Sequence, residues 1–498
     1  MRAFIERLEK NAKYLPNRQA VVDEQRSVTY SELFRRTDQW AHLLSQKFGI
    51  QSGDKVMILM KNSTAYMETI IALIKLDAVA IPLNYHNLFG VQTIYQRAEC
   101  KLLITERDMD CGTIPGYDQM MTMEVEDMEL ELSEHSTLPT CWGSSTGERE
   151  LLFFTSGTTG TPKGIVVTHR NFFIDVPENY FSESTVNYLM IRPLFFRSHL
   201  TLATTILSDG NTILLLRDPE PSGIYDMTNL HSVSHMISGP TDLMEMVTWL
   251  NTHGKTMPNC LQEVMTTGRS TSYEFKKNAS RYFPEVLFID FYGTSEAGGI
   301  SSTDSMEWLE KEQSAGRPDF FVTVQIMDDE GNCLQAGCTG EVCVQSKHSM
   351  REYYSEPQLT SETFYGTFLR TGDMGYLDDD GYLFLLGRKQ DAINRSGLIF
   401  YASEVESVLE RISEIEDAKV LGIPNLAEGE VPVAFVKARD GLQGSADLQM
   451  IIHSICQDNL PAYKIPKDII ILSVMPYNNA GKINRHDLLK QYQELLTL

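Results

Sequence analysis

Hydrophobic and polar positions along this chain fall into short blocks that switch between two periods. From Val28 the run VTYSELFRRTDQWAHLLSQKFGI reads as a short strand, a serine cap at Ser31 and an amphipathic helix, after which GDKVMILM begins a second strand. Helical spacing in METIIALIKL, followed by the apolar AVAIPLN, repeats the unit and predicts mixed α/β layers. The apolar stretch Ile70 to Leu83 is broken by Lys75 and Asp77 and is shorter than the ~20 residues that span a bilayer, so it predicts a buried helix and then a strand, with no membrane span. Between Asp108 and Glu148 the patterning fades, and the acidic EVEDMELELSEHS reads as a solvated surface connection. Near the other end GYLFLLGRKQDA alternates like a strand. It leads to a helix at SEVESVLERI and to strands around AKVLGIP and VPVAFVKA, which predicts a small α+β domain starting near residue 390.

Composition narrows the classes. A chain of 498 residues is too long for one ordinary core, and 42% hydrophobic with 22% charged residues is globular usage. The formal charge of -24, from 67 acidic and 43 basic residues, repels phosphate backbones, so no nucleic-acid partner is expected. The amino terminus, MRAFIERLEKNAKYLPN, mixes both charges and lacks the apolar stretch of a secretory signal. The eight cysteines are scattered, and Cys333, Cys338 and Cys343 lack the CxxC spacing of zinc sites. Ordinary reduced cysteines and a cytoplasmic location are expected.

The chemistry-bearing signal is LFFTSGTTGTPKG, Leu152 to Gly164, where an apolar strand runs into a loop of glycines, hydroxyl residues and one lysine. Glycines admit close backbone approach, amides and hydroxyls donate hydrogen bonds, and Lys163 offers a positive charge, so the loop suits phosphate. It is not a kinase-type P-loop: counted from Gly157, that pattern demands glycine at Pro162 and a hydroxyl residue at Gly164.

TSGTTGTPKG resembles the phosphate-binding signature of the adenylate-forming superfamily, which holds acyl-CoA synthetases, nonribosomal peptide adenylation domains and luciferases. Further motifs follow in that superfamily's order: DFYGTSE at Asp290 to Glu296, LRTGD at Leu369 to Asp373, GRKQD at Gly387 to Asp391, and NNAGKINR at Asn478 to Arg485. The resemblance covers essentially the whole chain and is closest to a free-standing acyl-CoA ligase. It implies a large multi-subdomain α/β amino-terminal domain over 1–389, binding ATP and acid, and a small, mobile α+β carboxy-terminal domain over 390–498. It also implies the site. Thr155, Ser156, Gly157, Thr158, Thr159, Lys163, Gly268, Asp290 and Gly293 would surround the nucleotide. Tyr292 would stack on adenine, Thr294 would contact phosphate, and Glu296 would hold Mg²⁺ as a hard oxygen ligand. Asp373 would accept from both ribose hydroxyls, a task suited to a carboxylate. Arg388 would contact the nucleotide, Gln390 would be the hinge where relatives place aspartate or lysine, and Lys482 would reach the nascent mixed anhydride.

The acceptor and the acid are less defined. INRSGLIFYASEVE lies where the family threads a phosphopantetheine arm, and Ser396 and Gly397 resemble the INxSG form of CoA ligases, which favours coenzyme A over an acyl carrier protein. The resemblance implies a small-molecule carboxylic acid as substrate, and Gly298 and Gly299 leave room for a fatty or an aromatic one. Its pocket would be lined by Phe196, Arg197, Arg269, Gly298 and Gly299. Phe196 stands where relatives commonly carry histidine, and Arg197 and Arg269 would either pair with a second polar group on the substrate or serve the structure. Two other readings are a nucleotide- or acyl-binding relative without catalysis and an oxygen-using luciferase. The retained Lys482, Glu296 and Asp373 argue against the first.

Overall fold

The computed structural model describes residues 2–86, 88, 90–137, 150–155, 162–173, 185–268, 273–308, 310–439, 446–477 and 483–496. Among these residues the strands form four sheets. The largest is built around a parallel run: Leu287–Thr294, Glu263–Thr266, His235–Ser238, Asn187–Met190, Thr212–Leu215 and Gln19–Val22. The second sheet has parallel strands Val79–Pro82, Lys55–Leu59, Leu102–Thr105 and Thr122–Glu124, and beside them the antiparallel pair Glu150–Thr155 and Lys163–Thr168. One hydrophobic core takes side chains from both sheets, Val21 and Ile213 from the first, Ile58 and Leu151 from the second, with Trp40 and Ile71 from helices. This is the mixed α/β layering that the strand and helix blocks predict. No helix among the described residues is long and apolar enough to cross a membrane.

Local chemistry explains the element ends. The helix Tyr30–Phe48 is capped by Thr29 rather than Ser31: the Thr29 hydroxyl accepts from the Glu32 amide, while the Glu32 carboxylate accepts from the Thr29 amide at 2.8 Å. This reciprocal box satisfies two otherwise orphaned donors, which a serine one residue inside the helix cannot do. Gly49, at φ 62°, ends that helix in the left-handed region where glycine carries no steric penalty. Helix Thr64–Leu76 is buried nearly all round, and its Lys75 lies within 2.8 Å of Asp38. The lysine that interrupts the apolar run is therefore paired inside the core.

The acidic segment is more ordered than its composition suggests. Thr122–Glu124 joins a sheet, Val125–Glu129 is helical, and Val125 and Leu132 are buried. Its charges meet cations from elsewhere: Glu129 contacts Arg26 at 2.6 Å, Asp127 contacts Arg107 at 2.6 Å, and Glu131 contacts Lys47 at 2.7 Å. Arg26 and Arg36 also bind the fully buried Glu68, so this segment is fastened to the core rather than merely solvated.

Past the two large sheets, Phe368–Leu377 and Leu383–Arg388 belong to a five-stranded antiparallel sheet. The chain turns through Lys389–Asp391 and enters a last sheet of Ala392–Arg395, Leu398–Tyr401, Ile415–Asn425, Gly429–Ala438 and Asp468–Leu472. Helices Ala402–Leu409 and Ala446–Asn459 cover it, with Val405, Leu409, Val436 and Ile452 in a core of its own. The described cysteines are all free, with Cys333 and Cys338 exposed and Cys343 buried.

Candidate functional site

Strands Glu150–Thr155 and Lys163–Thr168 pair antiparallel with Thr155 opposite Lys163. They hold the two ends of the phosphate-suited loop; Ser156, Gly157, Thr158 and Thr159 lie outside the described residues. A Cβ on Gly164 would stand 3.0–3.1 Å from the side chains of Tyr354, Leu152 and Phe154, so the glycine after Lys163 allows close packing there.

The second motif forms a tight hairpin of Leu287–Thr294 and Gly298–Asp304, with Thr294 opposite Gly298. Its close approach dictates the sequence: a Cβ on Gly293 would sit 2.3 Å from the Gly298 carbonyl oxygen. Gly298 has φ +79°, and Gly299 opens toward Asp319. The Thr294 hydroxyl accepts from the Ala297 amide at 3.0 Å and closes the turn that presents Glu296. The Tyr353 hydroxyl donates to Glu296 Oε1 at 2.9 Å. Lys163 Nζ lies 5.8 Å from the centroid of the Tyr353 ring. On the neighbouring strand the Thr266 hydroxyl donates to Asp290.

The third and fourth motifs are cross-strand neighbours, with Asp373 directly opposite Arg388. Arg388 Nε contacts Asp373 Oδ1 at 3.0 Å and Nη1 donates to the Thr371 carbonyl at 2.7 Å. Tyr292 donates its hydroxyl to Asp373 Oδ2 at 2.6 Å. Burial and the Asp373 charge raise the Tyr292 phenol well above its ordinary range, so it stays a donor. Both carboxylate oxygens of Asp373 are thus engaged by residues of other motifs, Oδ1 by Arg388 and Oδ2 by Tyr292.

Arg269, expected to line the acid, lies outside the described residues, and Gly268, expected beside the nucleotide, has φ +104° and no atom of the described residues within 4 Å of its Cβ direction. Arg197 is buried at the start of helix Arg197–Ser208. It donates to the backbone carbonyls of Ser295, Glu296 and His348, the Glu296 bond at 3.2 Å. Burial lowers it to about 10 despite the nearby Glu296 charge. Those bonds brace the turn that carries Glu296. Arg197→Met should therefore cost about 2–4 kcal/mol of stability, because buried carbonyls lose their donors. It should also depress activity by one common factor whichever acid is supplied. Melting curves and a panel of acids check this, and a loss confined to acids with a second anionic group would mark Arg197 as a substrate partner instead.

Two side chains near these residues carry no motif of their own. His199, in the first turn of the same helix, is buried between Phe196, at 5.8 Å between ring centroids, and Thr267, whose hydroxyl lies 3.3 Å from Nε2. Burial and the Arg192 charge push it down to about 3, so it is neutral near pH 7. Helical spacing from Phe196 was the available signal. Tyr353, the partner of Glu296, lies 57 residues away in sequence and gave none.

At the junction between sheets, Lys389 contacts Asp329 at 2.5 Å and Glu341 at 3.1 Å, both from the five-stranded sheet before it, whereas Asp391 pairs with Arg485 beyond it. Gln390 lies between these oppositely directed attachments. Ser396 and Gly397, both at positive φ, form the tip of the hairpin Ala392–Arg395 and Leu398–Tyr401. With Asn394, Glu428 and Glu430 they line a cavity of about 570 Å³. Lys482 lies outside the described residues; the next residue, Ile483, bridges to Tyr477.

Magnesium chemistry fits these donors. Glu296 has acceptor capacity beyond Tyr353, and Mg²⁺ in nucleotide sites binds one or two carboxylates plus substrate phosphates rather than a full protein cage. Among the described residues no group of three or more His, Cys, Asp or Glu could hold a metal by itself. One carboxylate on the same tyrosine as Lys163 suits a metal that arrives with its nucleotide.

Residues 8–354 match the AMP-binding enzyme family and residues 404–482 match the AMP-binding enzyme C-terminal domain. The chain belongs to the AMP-binding enzyme family, within the adenylate-forming superfamily its motifs resemble. It is 29% identical to a 2-succinylbenzoate–CoA ligase of Bacillus cereus over 98% of both chains. It is also 29% identical to the fatty acid–[acyl-carrier-protein] ligase ScoC of Streptomyces coeruleorubidus, over 96% of this chain and 94% of that one. Among solved structures it is similar to the O-succinylbenzoate coenzyme A synthetase MenE of Bacillus subtilis in complex with ATP and magnesium ion. There the TM-score is 0.83 at 25% identity, covering 97% of this chain and 99% of that one.

Proposed function

We propose that this chain is an AMP-forming acid–thiol ligase that activates a small carboxylic acid as its acyl adenylate, releases pyrophosphate and passes the acyl group to coenzyme A. The observation that carries the reading is the cluster of Tyr292, Asp373 and Arg388. Three separate motifs meet there around one carboxylate, and Tyr353 contacts both Glu296 through its hydroxyl and Lys163 through its ring. A nucleotide needs this set of complements: an aromatic face and a ribose acceptor at one end, positive charge and a hard oxygen at the other.

A carboxylate is a poor acyl donor because it would have to expel oxide. Its oxygen instead attacks the α-phosphorus of ATP, the bond from that phosphorus to the bridging oxygen breaks, and pyrophosphate leaves with the electron pair. The barrier is largely electrostatic, since two anions must meet. Magnesium, when bound, supplies charge compensation to the phosphates. Glu296 would be its protein ligand, Lys163 would face the phosphates, Thr294 would contact them, and Asp373 would orient the ribose. Lys482 would bridge the incoming carboxylate and the α-phosphate. In the second half the thiol sulfur attacks the acyl carbon, its proton is lost, and AMP departs. Rotation about Gln390 would bring the cavity at Ser396 and Gly397 to serve the pantetheine arm. The likeness to ScoC favours a second reading of the acceptor, a carrier protein bearing the same arm.

The test is pyrophosphate release from the full chain with ATP, Mg²⁺ and a panel of fatty, aryl, dicarboxylic and amino acids, with and without coenzyme A. Acid-dependent release with a thioester product supports the ligase. Release without coenzyme A turnover turns the reading to a carrier protein, and no release with any acid sinks it.

A further inference from the structure

Lys163 and Glu296 lie on different sheets and far apart in sequence, yet one short segment ties their hairpins together. The Met350 amide donates to the Glu296 carbonyl at 2.6 Å, the Arg351 amide to the Val166 carbonyl at 2.9 Å, and the Tyr354 amide to the Gly164 carbonyl at 2.7 Å. Strand Glu352–Tyr353 pairs antiparallel with the strand that begins at Lys163, placing Tyr353 opposite Ile165. The Tyr353 side chain is buried, its hydroxyl on Glu296 at 2.9 Å and its ring 5.8 Å from Lys163 Nζ. The Tyr353 amide is itself held by the Thr360 hydroxyl at 2.9 Å, which fixes the backbone from which the phenol projects.

We propose that Tyr353 is a positioning residue that sets the affinity of the site for metal-bound nucleotide, aiming the Glu296 carboxylate through its hydroxyl and seating Lys163 against its ring. This rests on the ligase reading of the site. A glutamate on a half-buried turn such as this one can still adopt several rotamers, and a donor fixed on one oxygen removes most of them while leaving the other oxygen to face a cation. The ring face supplies a separate, weaker attraction for the ammonium within the range of cation–π contacts. The two parts of one side chain therefore act on the two halves of the phosphate site, and the hydroxyl can be removed while the ring is kept.

The measurement is equilibrium binding of the non-hydrolysable α,β-methylene analogue of ATP to the full chain, by calorimetry, with Mg²⁺ and with EDTA, in the absence of any acid. Mn²⁺ bound in the ternary complex is followed in parallel by electron paramagnetic resonance. Tyr353→Phe keeps the ring, so it should weaken metal–nucleotide binding by about 3–10-fold and leave metal-free binding unchanged. Tyr353→Leu should weaken both. In a Glu296→Gln background, Tyr353→Phe should have no further effect on the metal-dependent part. Equal losses with and without metal, or no loss in Tyr353→Phe, overturn the proposal and leave the ligase reading standing. A wild-type chain that binds the analogue equally with Mg²⁺ and EDTA removes the underlying reading of Glu296 and this inference with it.

Discussion

Lys482→Ala should lower acid-dependent pyrophosphate release by about 10²–10³-fold, the range seen when one donor to a charge-developing centre is removed. The KM for ATP should move by less than about 3-fold, because a group that acts only as the acid oxygen closes on phosphorus contributes little to the ground state. Lys482 sits beside Ile483, whose bridge to Tyr477 is made by backbone, and the Tyr477 hydroxyl is independently fastened to Asp417 at 2.5 Å. Truncating the lysine breaks neither attachment, so the melting temperature should stay where it is. The two half-reactions separate the role further. Supplied with preformed acyl adenylate and coenzyme A, the variant should form thioester at close to the wild-type rate, since the lysine is assigned to the first step alone. Equal damage to both half-reactions would move Lys482 from the adenylation centre to a general role in holding the small domain.

Much of this site was legible because each motif is local. The alternation in GYLFLLGR gives a strand that is found at Leu383–Arg388, whereas Gly293, read only as a residue beside the nucleotide, is also required by the close approach of Gly298. What could not be read was which motifs touch. LRTGD and GRKQD look like two separate signatures, and only the antiparallel register makes Asp373 and Arg388 partners. Ion pairs that join Glu129 to Arg26 across 103 residues leave no periodic trace, so a segment that is fastened by charge read as one that is merely solvated. The Ser31 cap failed for a smaller reason. Both Thr29 and Ser31 offer a hydroxyl, and the choice was settled by Glu32, which completes a capping box only with Thr29. Arg197 shows the opposite difficulty: an arginine at a pocket position suggests substrate charge, but here its donors meet backbone carbonyls.

Asp373→Ala should raise the KM for ATP by about 10–100-fold, as expected for the loss of hydrogen bonds to a charged acceptor, with a smaller fall in kcat. The residue has two duties that this change alone cannot separate: it accepts from Tyr292 at 2.6 Å and pairs with Arg388 at 3.0 Å, and it would also accept from the ribose. The nucleotide can be edited instead. Wild-type protein should discriminate against 2′-deoxy-ATP and 3′-deoxy-ATP because each leaves part of the Asp373 acceptor capacity unmet. In Asp373→Ala that discrimination should collapse toward unity even though every nucleotide binds poorly. Tyr292→Phe removes one protein partner of the carboxylate and leaves its ribose-facing capacity intact. It should therefore weaken ATP without abolishing the preference for the full ribose. If Asp373→Ala keeps the wild-type preference, the carboxylate is there to hold Tyr292 and Arg388 in register, and the ribose is read by another group.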